Sequence, residues 1–578
     1  MKSVRALIPD WISECRGTSL RDDLLAGTIT AVLLVPQGMA LALLAGLPPI
    51  LGLYAGILPP ILYALFGSSR TMAVGPASVA ALLVATALGG LGHAPGSAEA
   101  IQGAITLAAL SAVILLAMGF LRLGALANYL SHPVLAGFVS GAALVIIFSQ
   151  LPQLTGVALP RDAALPEQLM ALINGLAGLQ PPLLLMGGCG MILLFLARTP
   201  LVLLLQKMGL QAGPAKLLSR CAPLMIVLLA TGLTALLGLE RLGIPVVGDI
   251  PAGLPQPSLD FLHLTDWRAL LPAALVISII GYVESVSVAK ALAWRRRQRI
   301  DPNRELLALG AANAGAAFSG TMPVAGGFAR SVVNFDAGAR TQFAGIVTAL
   351  LVALTALFLT PLFQSLPLPI LAALIVVAVI PLIDLHTFRA AWHYDKADGL
   401  AMLITFLGVV LVDIEMGLLA GLCLSVIALL WRTSHPHVAV VGRVPGTDYY
   451  RNVSRHEVET WPNLLLLRID ESLYFANTAY VEQLVGNALA QRPEVRHVVL
   501  ICTAMNHVDL SAVETLQGMA LNLREAGVTL HLAGVKGPIM DRLRTSGLME
   551  ALGEGHIYFN TEQAVLDLVS QNRSPAHF

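Results

Sequence analysis

Charged residues are scarce in this sequence, in which Asp, Glu, Lys and Arg together make up only 12% of 578 residues. Soluble domains carry about 25% charged residues, so most of the chain cannot be an ordinary water-soluble fold. The 35 basic and 35 acidic residues also cancel, which removes the positive surplus on which nucleic-acid binding depends. We therefore expect a membrane protein that has no nucleic-acid partner.

Cysteine clusters and catalytic motifs are missing as well. Five cysteines are scattered along the chain without the spacing of a metal site or a redox pair: Cys15, Cys189, Cys221, Cys423 and Cys502. The sequence also lacks the G-x-S-x-G elbow, a phosphate-binding loop with its lysine, and the dinucleotide fingerprint. These absences argue against an enzyme, and they predict neither a cofactor nor a bound metal.

Apolar segments occupy the first three quarters of the chain, where they are too many and too long for a soluble core. We predict fourteen helical spans or half-spans, at residues 22–45, 50–66, 76–89, 100–120, 133–151, 181–197, 220–238, 268–292, 305–319, 325–336, 341–360, 368–385, 397–412 and 415–432. The third and the tenth are too short to cross about 30 Å of hydrocarbon as helices. This pattern predicts a multi-pass α-helical transport domain at residues 22–432.

The distribution of basic residues predicts the orientation of these spans. No cleavable signal peptide opens the chain, and residues 1–21 are predicted to form a cytoplasmic, amphipathic segment at the membrane interface. Basic residues follow the even-numbered spans: Arg122, Arg198, Lys207, Lys216, Arg220, the run from Arg295 to Arg299, Arg389 and Arg432. The positive-inside rule then places both termini in the cytoplasm, in a bacterial inner membrane by preference.

Composition changes after Trp431, where charged residues, Asn, Gln and His return. Residues 433–462 are predicted to be a polar linker. Buried strands are predicted at 464–469, 498–501 and 528–532, and helices at 478–490, 511–526, 537–549 and 561–570. Residues 463–578 therefore form a small cytoplasmic α/β domain in this interpretation.

A short pattern that breaks two apolar stretches occurs twice, 250 positions apart. Thr71-Met72-Ala73-Val74-Gly75-Pro76 is echoed by Thr321-Met322-Pro323-Val324-Ala325-Gly326. Paired breaks in two halves of a transporter point to its substrate site, because half-helix N-termini can converge there on an anion. Pro76 is predicted to be the first residue of its helix. Ordinary kinks packed against neighbouring helices are the alternative.

Arg330 and Glu284 lie within predicted spans, away from the span ends, where charge is costly and functional by default. Arg330 follows the second break and would add positive potential for an anion. Glu284 lies in the eighth span, where a buried carboxyl favours its neutral form, so it is predicted to carry a co-transported proton or to bind a cation. The alternatives are an ion pair of Glu284 with Arg330 or Lys290, or an Arg330 that reaches the interface. Gln37, 247 positions before Glu284, is the neutral counterpart in the first half.

The first span and the C-terminal domain carry a family resemblance. Val35-Pro36-Gln37-Gly38-Met39-Ala40, Leu44 to Ile50, Gly52-Leu53-Tyr54 and Phe66 to Pro76 resemble the signature of the sulfate permease (SulP) anion transporters. Val508-Asp509-Leu510-Ser511 resembles a STAS domain, the usual cytoplasmic partner in that family. Together the resemblance covers nearly the whole chain.

The resemblance implies fourteen segments in two inverted seven-segment repeats and a homodimer. Segments 1–4 and 8–11 would form a core domain that moves against a gate domain of segments 5–7 and 12–14. The substrate-binding positions carried over are Gln37, Ala77, Ser78, Phe328, Ala329 and Arg330, with Glu284 for proton or cation coupling. Many relatives have Ser where this chain has Ala329, so the backbone has to supply more of the binding.

Ser511 is a possible regulatory phosphosite, and a cytoplasmic regulator at the STAS domain is a possible partner. In related anti-sigma-factor antagonists, a phosphorylated Ser matches Ser511, although the Gly that usually follows it is Ala512 here. Ser511-Ala512-Val513-Glu514 also reads as a capping box, in which Ser511 caps the helix and Glu514 reaches back to it. Helix capping alone would explain both residues.

We expect a secondary active anion transporter that carries sulfate or a small carboxylate with protons by elevator-like alternating access. A sodium-dependent bicarbonate symporter, with Glu284 helping to bind sodium, is the first alternative. A nucleobase permease fits less well, because an uncharged base needs no buried cation such as Arg330. A sensor that signals through its STAS-like domain is the remaining alternative. An anion site formed mainly by backbone groups depends little on which residues are present. The sequence therefore does not show which anion is transported.

Overall fold

The structure is a computed structural model that describes residues 11–14, 16–128, 131–160, 165–197, 199–262, 267–553 and 556–570. The chain divides into two compact units, residues 1–425 and 426–578. Residues 1–10 and 15 of the N-terminal segment predicted to be amphipathic lie outside the described residues. Of its described part, Trp11 is buried, and its indole Nε1 donates a hydrogen bond to the carbonyl oxygen of Ala64 at 2.7 Å.

The first unit is almost entirely helical, and each half contains one very short strand. The first half contains α1 (Thr18–Leu44), α2 (Pro49–Tyr54), α3 (Leu58–Phe66), β1 (Val74–Gly75), α4 (Ser78–Gly90), α5 (Ala98–Phe120), α6 (His132–Thr155), α7 (Leu165–Asn174), α8 (Pro181–Leu196), α9 (Thr199–Lys207) and α10 (Ala212–Leu237). The second half contains α11 (Trp267–Arg295), α12 (Pro302–Phe318), β2 (Ala325–Gly326), α13 (Phe328–Asp336), α14 (Phe343–Leu354), α15 (Leu368–Val379), α16 (Leu385–Tyr394), α17 (Lys396–Leu411) and α18 (Ile414–Ser434).

All fourteen predicted spans have helical counterparts. Within the described residues, nine helices or continuous helix pairs are long and apolar enough to cross a membrane, and the bent pair α8–α9 makes ten. The other four predicted spans are the shorter helices α4, α12, α13 and α17. The prediction of a multi-pass helical membrane protein is confirmed, whereas the short helices α7, α9 and α16 between spans were not predicted.

The two half-spans are as short as the sequence predicts. Helix α4 has 13 residues and α13 has 9. At 1.5 Å per residue they extend about 20 and 14 Å, well short of the hydrocarbon thickness of about 30 Å. Neither helix can therefore span the apolar layer alone, and backbone groups at any end that lies inside it need partners other than water.

Local sequence explains where several long helices begin and end. The side chain of Ser97 caps α5 by accepting from the amide of Ala100, and Ser131 caps α6 in the same way through Val134. Asp301 caps α12. Helix α6 ends at Gly156, whose φ of 80° is a left-handed conformation that glycine adopts without strain.

Glycine also sets how closely α1 and α2 approach each other. A Cβ atom added at Gly38 would lie 2.8 Å from the carbonyl oxygen of Gly52. The two helices consequently pack backbone against backbone beside Gln37. A side chain at either glycine would push α1 away from α2, so the pair determines where Gln37 is held.

The second unit contains a six-stranded sheet in the order β4-β3-β5-β6-β7-β8. Its strands are β3 (Val438–Arg443), β4 (Tyr450–Asn452), β5 (Leu464–Ile469), β6 (His497–Ile501), β7 (Thr529–Ala533) and β8 (Ile557–Tyr558). Its helices are α19 (Thr478–Ala490), α20 (Leu510–Glu525), α21 (Gly537–Arg544), α22 (Leu548–Leu552) and α23 (Thr561–Ser570). β3 is antiparallel to β4 and β5, whereas β5 through β8 are parallel.

The predicted linker at 433–462 differs from the structure, because β3 and β4 lie within it and extend the sheet. A linker was predicted because the segment is polar in overall composition. Ala439 and Val441 are buried on one face of β3, and Val438 and Val440 pack on the other face, so the run of four apolar residues was the available strand signal. The three predicted strands and four predicted helices of this unit are otherwise present, with 537–549 divided into α21 and α22.

Candidate functional site

The two sequence breaks pair with each other as one small antiparallel sheet. Val74 of β1 lies opposite Gly326 of β2, and Gly75 lies opposite Ala325. The amide of Gly327 also donates to the carbonyl oxygen of Ala73 at 3.2 Å. This pairing satisfies backbone groups that broken helices leave without partners in an apolar layer. The two breaks are therefore a single structural unit and not two separate kinks.

Both half-helices start beside this sheet with uncapped N-termini. Helix α4 follows Ala77 and α13 follows Gly327, and neither residue provides a side-chain cap. The first backbone N–H groups of both helices, with the positive ends of their dipoles, are therefore free to face a ligand. Pro76 was predicted to begin its helix, which is wrong. The extended backbone continues through Ala77, and the helix begins at Ser78.

A cavity of about 50 Å³ lies where the two half-helices meet. Every residue predicted for substrate binding or coupling lines it: Gln37, Ala77, Ser78, Glu284, Phe328, Ala329 and Arg330. The opposite wall is apolar and comes from α15 and the turn after it, with Leu374, Ile375, Ala378, Val379 and Leu382. At about 10–15 Å³ per water, the space holds a few water molecules and suits an anion of a few heavy atoms.

Arg330 is the largest fully buried side chain near the cavity, with 1% of its surface exposed. Its Nη1 donates to the carbonyl oxygen of Pro76 at 2.5 Å, which joins α13 to the first break. Its Nε and Nη2 have no hydrogen-bond partner among the described residues. A Cβ atom at Gly327 would lie 2.9 Å from Nη2, so glycine is required for the guanidinium to fold back over the start of α13.

Unpaired donors on a buried cation are costly, which makes them a sign of a missing ligand. Arg330 does not reach an interface, and its guanidinium forms no hydrogen bond with the carboxyl of Glu284. The structure therefore contains neither a hydrogen-bonded Glu284–Arg330 ion pair nor an Arg330 side chain that extends to the membrane interface. Gln37 adds a second unsatisfied group, because its buried Oε1 also has no partner among the described residues.

Polar side chains that the sequence analysis did not select hold the second break in place. Asn313 of α12 accepts from the amide of Val324 and donates to its carbonyl oxygen, both at 3.0 Å. The hydroxyl of Ser285, next to Glu284, accepts from the amide of Gly326 at 2.8 Å. Asn313 could have been identified from the sequence, because a polar Asn within an alanine-rich span is unusual.

A second group, which we call the brace, holds the first break by side chains from the other half of the chain. The hydroxyl of Ser331 accepts from the amide of Ala73, and Nδ2 of Asn334 donates to the carbonyl oxygen of Thr71, both at 3.0 Å. Gln342 completes the brace with Nε2 donating to two carbonyl oxygens of the first-break segment, those of Ser69 at 2.6 Å and Met72 at 3.1 Å. The brace and Arg330 thus fix the first break to α13 and to the segment that follows it.

Replacement of Gln342 by Met is expected to destabilise the protein. The variant keeps the side-chain length but leaves the carbonyl oxygens of Ser69 and Met72 buried without donors, at about 1–3 kcal/mol each. The melting temperature of the purified protein should fall by at least about 2–4 °C. Gln483→Met on an exposed face of α19 is the matched control and should not shift it. An unchanged melting temperature for Gln342→Met would show that the brace contributes nothing.

The predicted capping role of Ser511 is wrong. Asp509 is the N-cap of α20, and its carboxylate accepts from the amide of Ala512 at 2.9 Å. Helix α20 begins one residue before Ser511, because Leu510 already has helical geometry. Ser511 is exposed in the first turn, so its hydroxyl is accessible, and phosphorylation there stays a prediction.

Comparison with known proteins identifies both units. The sequence profile of the Sulfate permease family matches residues 20–405, and that of the STAS domain matches residues 455–564. Sulfate transporter 4.1, chloroplastic, of Arabidopsis thaliana is 34% identical over 573 residues, covering 96% of this chain and 81% of that protein. Probable sulfate transporter Rv1739c of Mycobacterium tuberculosis is 34% identical over 548 residues, covering 94% and 95%.

Solved structures agree on the fold. The murine Slc26a9 anion transporter in its inward-facing state is similar with a TM-score of 0.85 and 23% identity, covering 98% of this chain and 95% of that one. The transmembrane domain of the cyanobacterial bicarbonate transporter BicA is similar with a TM-score of 0.57 and 22% identity, covering 71% and 98%. The extent of the family match and the identity to the curated relatives lead to one conclusion: this chain belongs to the sulfate permease family of anion transporters and carries a C-terminal STAS domain.

Proposed function

We propose that this anion transporter is a proton-coupled symporter for sulfate or a small carboxylate. The observation that carries the proposal is the pair of unpartnered donors on the buried guanidinium of Arg330, a residue that lines a small cavity at two uncapped helix N-termini. A positive charge and convergent N–H groups in a water-poor site select a negative ligand. Gln37 and Ser78 supply neutral hydrogen-bonding groups at the same cavity.

Glu284 is proposed to carry the coupled proton. Its carboxyl is half-buried and lines the same cavity as Arg330. A bound anion beside an ionised carboxylate would suffer repulsion between like charges, which a proton on Glu284 removes. Anion and proton therefore favour each other's binding, which is the thermodynamic requirement for symport.

The composition of the cavity walls supports an elevator-like movement. Polar groups come from α1, α4, α11 and α13, whereas α15 contributes only apolar side chains. In the proposed division, α1, α4, α11 and α13 belong to the moving core domain, and α15 belongs to the gate domain. An apolar gate surface makes no directional bonds with the substrate, so the core can carry its bound anion past it.

Loop charge supports the remaining parts of the proposal. The basic residues after the even-numbered spans support an orientation with both termini in the cytoplasm, and a bacterial inner membrane is the proposed location. The STAS domain then faces cytoplasmic regulators, and a homodimer is the proposed assembly. Crosslinking of single cysteines introduced at exposed loop positions in intact cells tests orientation and assembly together.

Counterflow in proteoliposomes tests the function. Protein reconstituted with internal unlabelled sulfate should accumulate labelled sulfate, and an inward proton gradient should drive net uptake while acidifying the lumen. A panel of unlabelled small carboxylates and bicarbonate added outside then ranks the substrates by competition. Uptake that does not respond to the pH gradient would refute proton coupling, and absence of counterflow with every anion would refute the transport site.

Sodium-dependent bicarbonate symport is a second candidate, and the free carboxyl of Glu284 favours it. Because Glu284 is not hydrogen-bonded to Arg330, its oxygens are available to a cation. Bicarbonate is also small enough for the cavity. Replacing external potassium by sodium at constant pH discriminates the two, since only the sodium symporter gains net uptake.

A further inference from the structure

The helices of the transport domain pack as two bundles. Helices α1, α3, α5 and α11 to α14 pack mainly among themselves, with α5 on α12, α1 on α14 and α5 on α11 as the most extensive pairs. Helices α6, α8, α15 and α17 form the second bundle, in which α6 packs on α17 and α15, and α8 packs on α15. The first bundle contains the core helices named above, and the second contains the gate helix α15.

Along the described helices, the chain crosses between the two bundles three times. The first crossing leads from α5 to α6, the second from α10 to α11, and the third from α14 to α15. Crossings are the covalent connections between the bundles. Their structure therefore limits how one bundle can move against the other.

The second and third crossings are joined to each other as a short antiparallel pair. Val246 lies opposite Pro367 in a β-bridge. Three backbone amides donate to carbonyl oxygens across the pair, at 2.9 to 3.0 Å: Val247 to Leu366, Gly248 to Gln364, and Leu368 to Pro245. Nε2 of Gln364 also donates to the carboxylate of Asp249 at 2.6 Å. We call residues 245–249 and 364–368 the clip.

The clip is stiff, and it lies at the second-bundle end of both crossings. Leu366 at its centre is fully buried, and Pro245 and Pro367 restrict the backbone on each strand. Its two strands adjoin the end of α10 and the start of α15 in the chain. The clip therefore extends the second bundle as a rigid piece.

The same two crossings are anchored to the first bundle a few residues further along. The amide of Gly253 donates to the carbonyl oxygen of Ala356 at 3.0 Å, and Ala356 lies in the π-helical turn Thr355–Leu359 that follows α14. The 3₁₀ turn Thr360–Phe363 comes next. A π-helical or 3₁₀ stretch within a helical segment often marks a functional hinge. Residues 250–252 and 357–363 thus lie between the clip and the anchor.

Helix α12 shows that the remaining crossing lies far from this anchor. The amide of Ser258, in the second crossing, donates to the carbonyl oxygen of Phe318 at the last residue of α12, at 2.8 Å. The amide of Gly124, in the first crossing, donates to Oδ1 of Asn303 near the start of α12, at 2.9 Å. The 17 residues of α12 extend about 25 Å. Two joined crossings therefore connect the bundles at one end, and a single crossing connects them at the other.

We propose that the clip stays closed throughout the transport cycle, so that the second and third crossings bend together as one hinge at residues 250–252 and 357–363. This inference rests on the proposed movement of a core domain against a gate domain. Two joined crossings resist separation at their own end of the domain. The relative displacement of the bundles is then smallest beside the clip and largest at the end where the first crossing lies.

Crosslinking of paired cysteines tests whether the clip opens. Asp249→Cys and Gln364→Cys are combined in a full-length protein without the five native cysteines, and a short bis-methanethiosulfonate reagent joins the two thiols. Sulfate counterflow in proteoliposomes should stay within about twofold of its value before crosslinking, because the closed clip is part of every conformation. A loss of about tenfold or more would show that the clip has to open, which overturns the proposal.

Arg220→Cys with Asp336→Cys is the matched pair across the moving boundary. The two side chains form an ion pair at 2.9 Å between α10, which packs on α8, α9 and α15, and the end of α13 in the first bundle. The same reagent should lower counterflow about tenfold or more here. Unchanged counterflow would refute movement between the bundles and the hinge with it. Absence of counterflow in the unmodified protein would instead refute the transport function.

Slack in one crossing tests the hinge itself. Insertion of a four-glycine segment between Pro251 and Ala252 lengthens the second crossing between the clip and its anchor at Gly253. The counterflow rate should fall about fivefold or more, while the sulfate concentration for half-maximal counterflow stays unchanged, because the transport cavity is not altered. The same insertion after Gly92, in an exposed turn, is the control and should leave the rate unchanged. An unchanged rate after insertion at 251, or a changed half-maximal concentration, would overturn the proposal.

Discussion

Uptake of labelled sulfate by reconstituted protein is expected to fall about a hundredfold or more when Arg330 is replaced by Met. The substitution keeps an unbranched apolar stem, but it removes the two unpartnered donors, Nε and Nη2, of a residue that lines the small cavity. A hydrogen bond to a charged group contributes about 1.5–3 kcal/mol, so loss of two reduces binding by about two orders of magnitude or more.

The Arg330→Lys variant distinguishes the effect of the positive charge on anion binding from the effect of the guanidinium's hydrogen-bond geometry. Lysine restores a positive charge without the planar fork, so we expect binding weaker than that of the unmodified protein and stronger than that of Arg330→Met. Arg299→Met, at an exposed position, is the matched control and should transport normally. Melting curves of all variants show whether they are folded. Unchanged anion affinity in a folded Arg330→Met variant would contradict the electrostatic account of the site.

Replacement of Glu284 by Gln is expected to abolish uphill uptake driven by a proton gradient while counterflow continues. Glutamine has the shape of the protonated carboxyl but cannot release a proton, so the anion can still cross in both directions without coupling. The first half of the chain already has an amide in the equivalent place, at Gln37, and both side chains line the cavity. The measurement is sulfate accumulation with and without an inward pH gradient, beside counterflow at symmetrical pH.

Glu240→Gln, in an exposed turn, is the control for loss of one carboxylate and should retain gradient-driven uptake. Full coupled activity of Glu284→Gln would remove this residue from the mechanism. Loss of a sodium response in the same variant would instead favour the sodium-dependent alternative. A variant that loses counterflow as well, although folded, would assign Glu284 to anion binding and not to coupling.

Much of the transport unit was predictable because lipid imposes strong rules on sequence. Each span must be apolar over a length close to the membrane thickness, so hydropathy alone placed fourteen segments that all have helical counterparts. The short third and tenth segments and the repeated break followed from the same reasoning. Glu284 and Arg330 stood out because charge is rare in such segments.

What could not be predicted depends on partners distant in sequence. Ser331 and Asn334 are ordinary polar residues of a short helix until the fold places the backbone of residues 71–73 against them. Asp509, and not Ser511, caps α20 because the turn before the helix directs its carboxylate to the Ala512 amide. Strand β4 was missed because its pairing with β3, and not its own hydrophobicity, makes it part of the sheet, whereas the apolar run that begins β3 was overlooked within a polar segment.

By itself, the sequence determined that this protein lies in a membrane, that two of its helices are broken, and that an Arg and a Glu lie within apolar segments of the second half. These follow from composition and local hydropathy, which do not require knowledge of contacts. Only the tertiary structure decided that the breaks pair as β1 and β2, and that Arg330 is left with unpartnered donors while it lines one cavity with Gln37 and Glu284. The physical reason is that a binding site is a matter of which groups remain unsatisfied after folding, and this depends on contacts between residues about 250 positions apart.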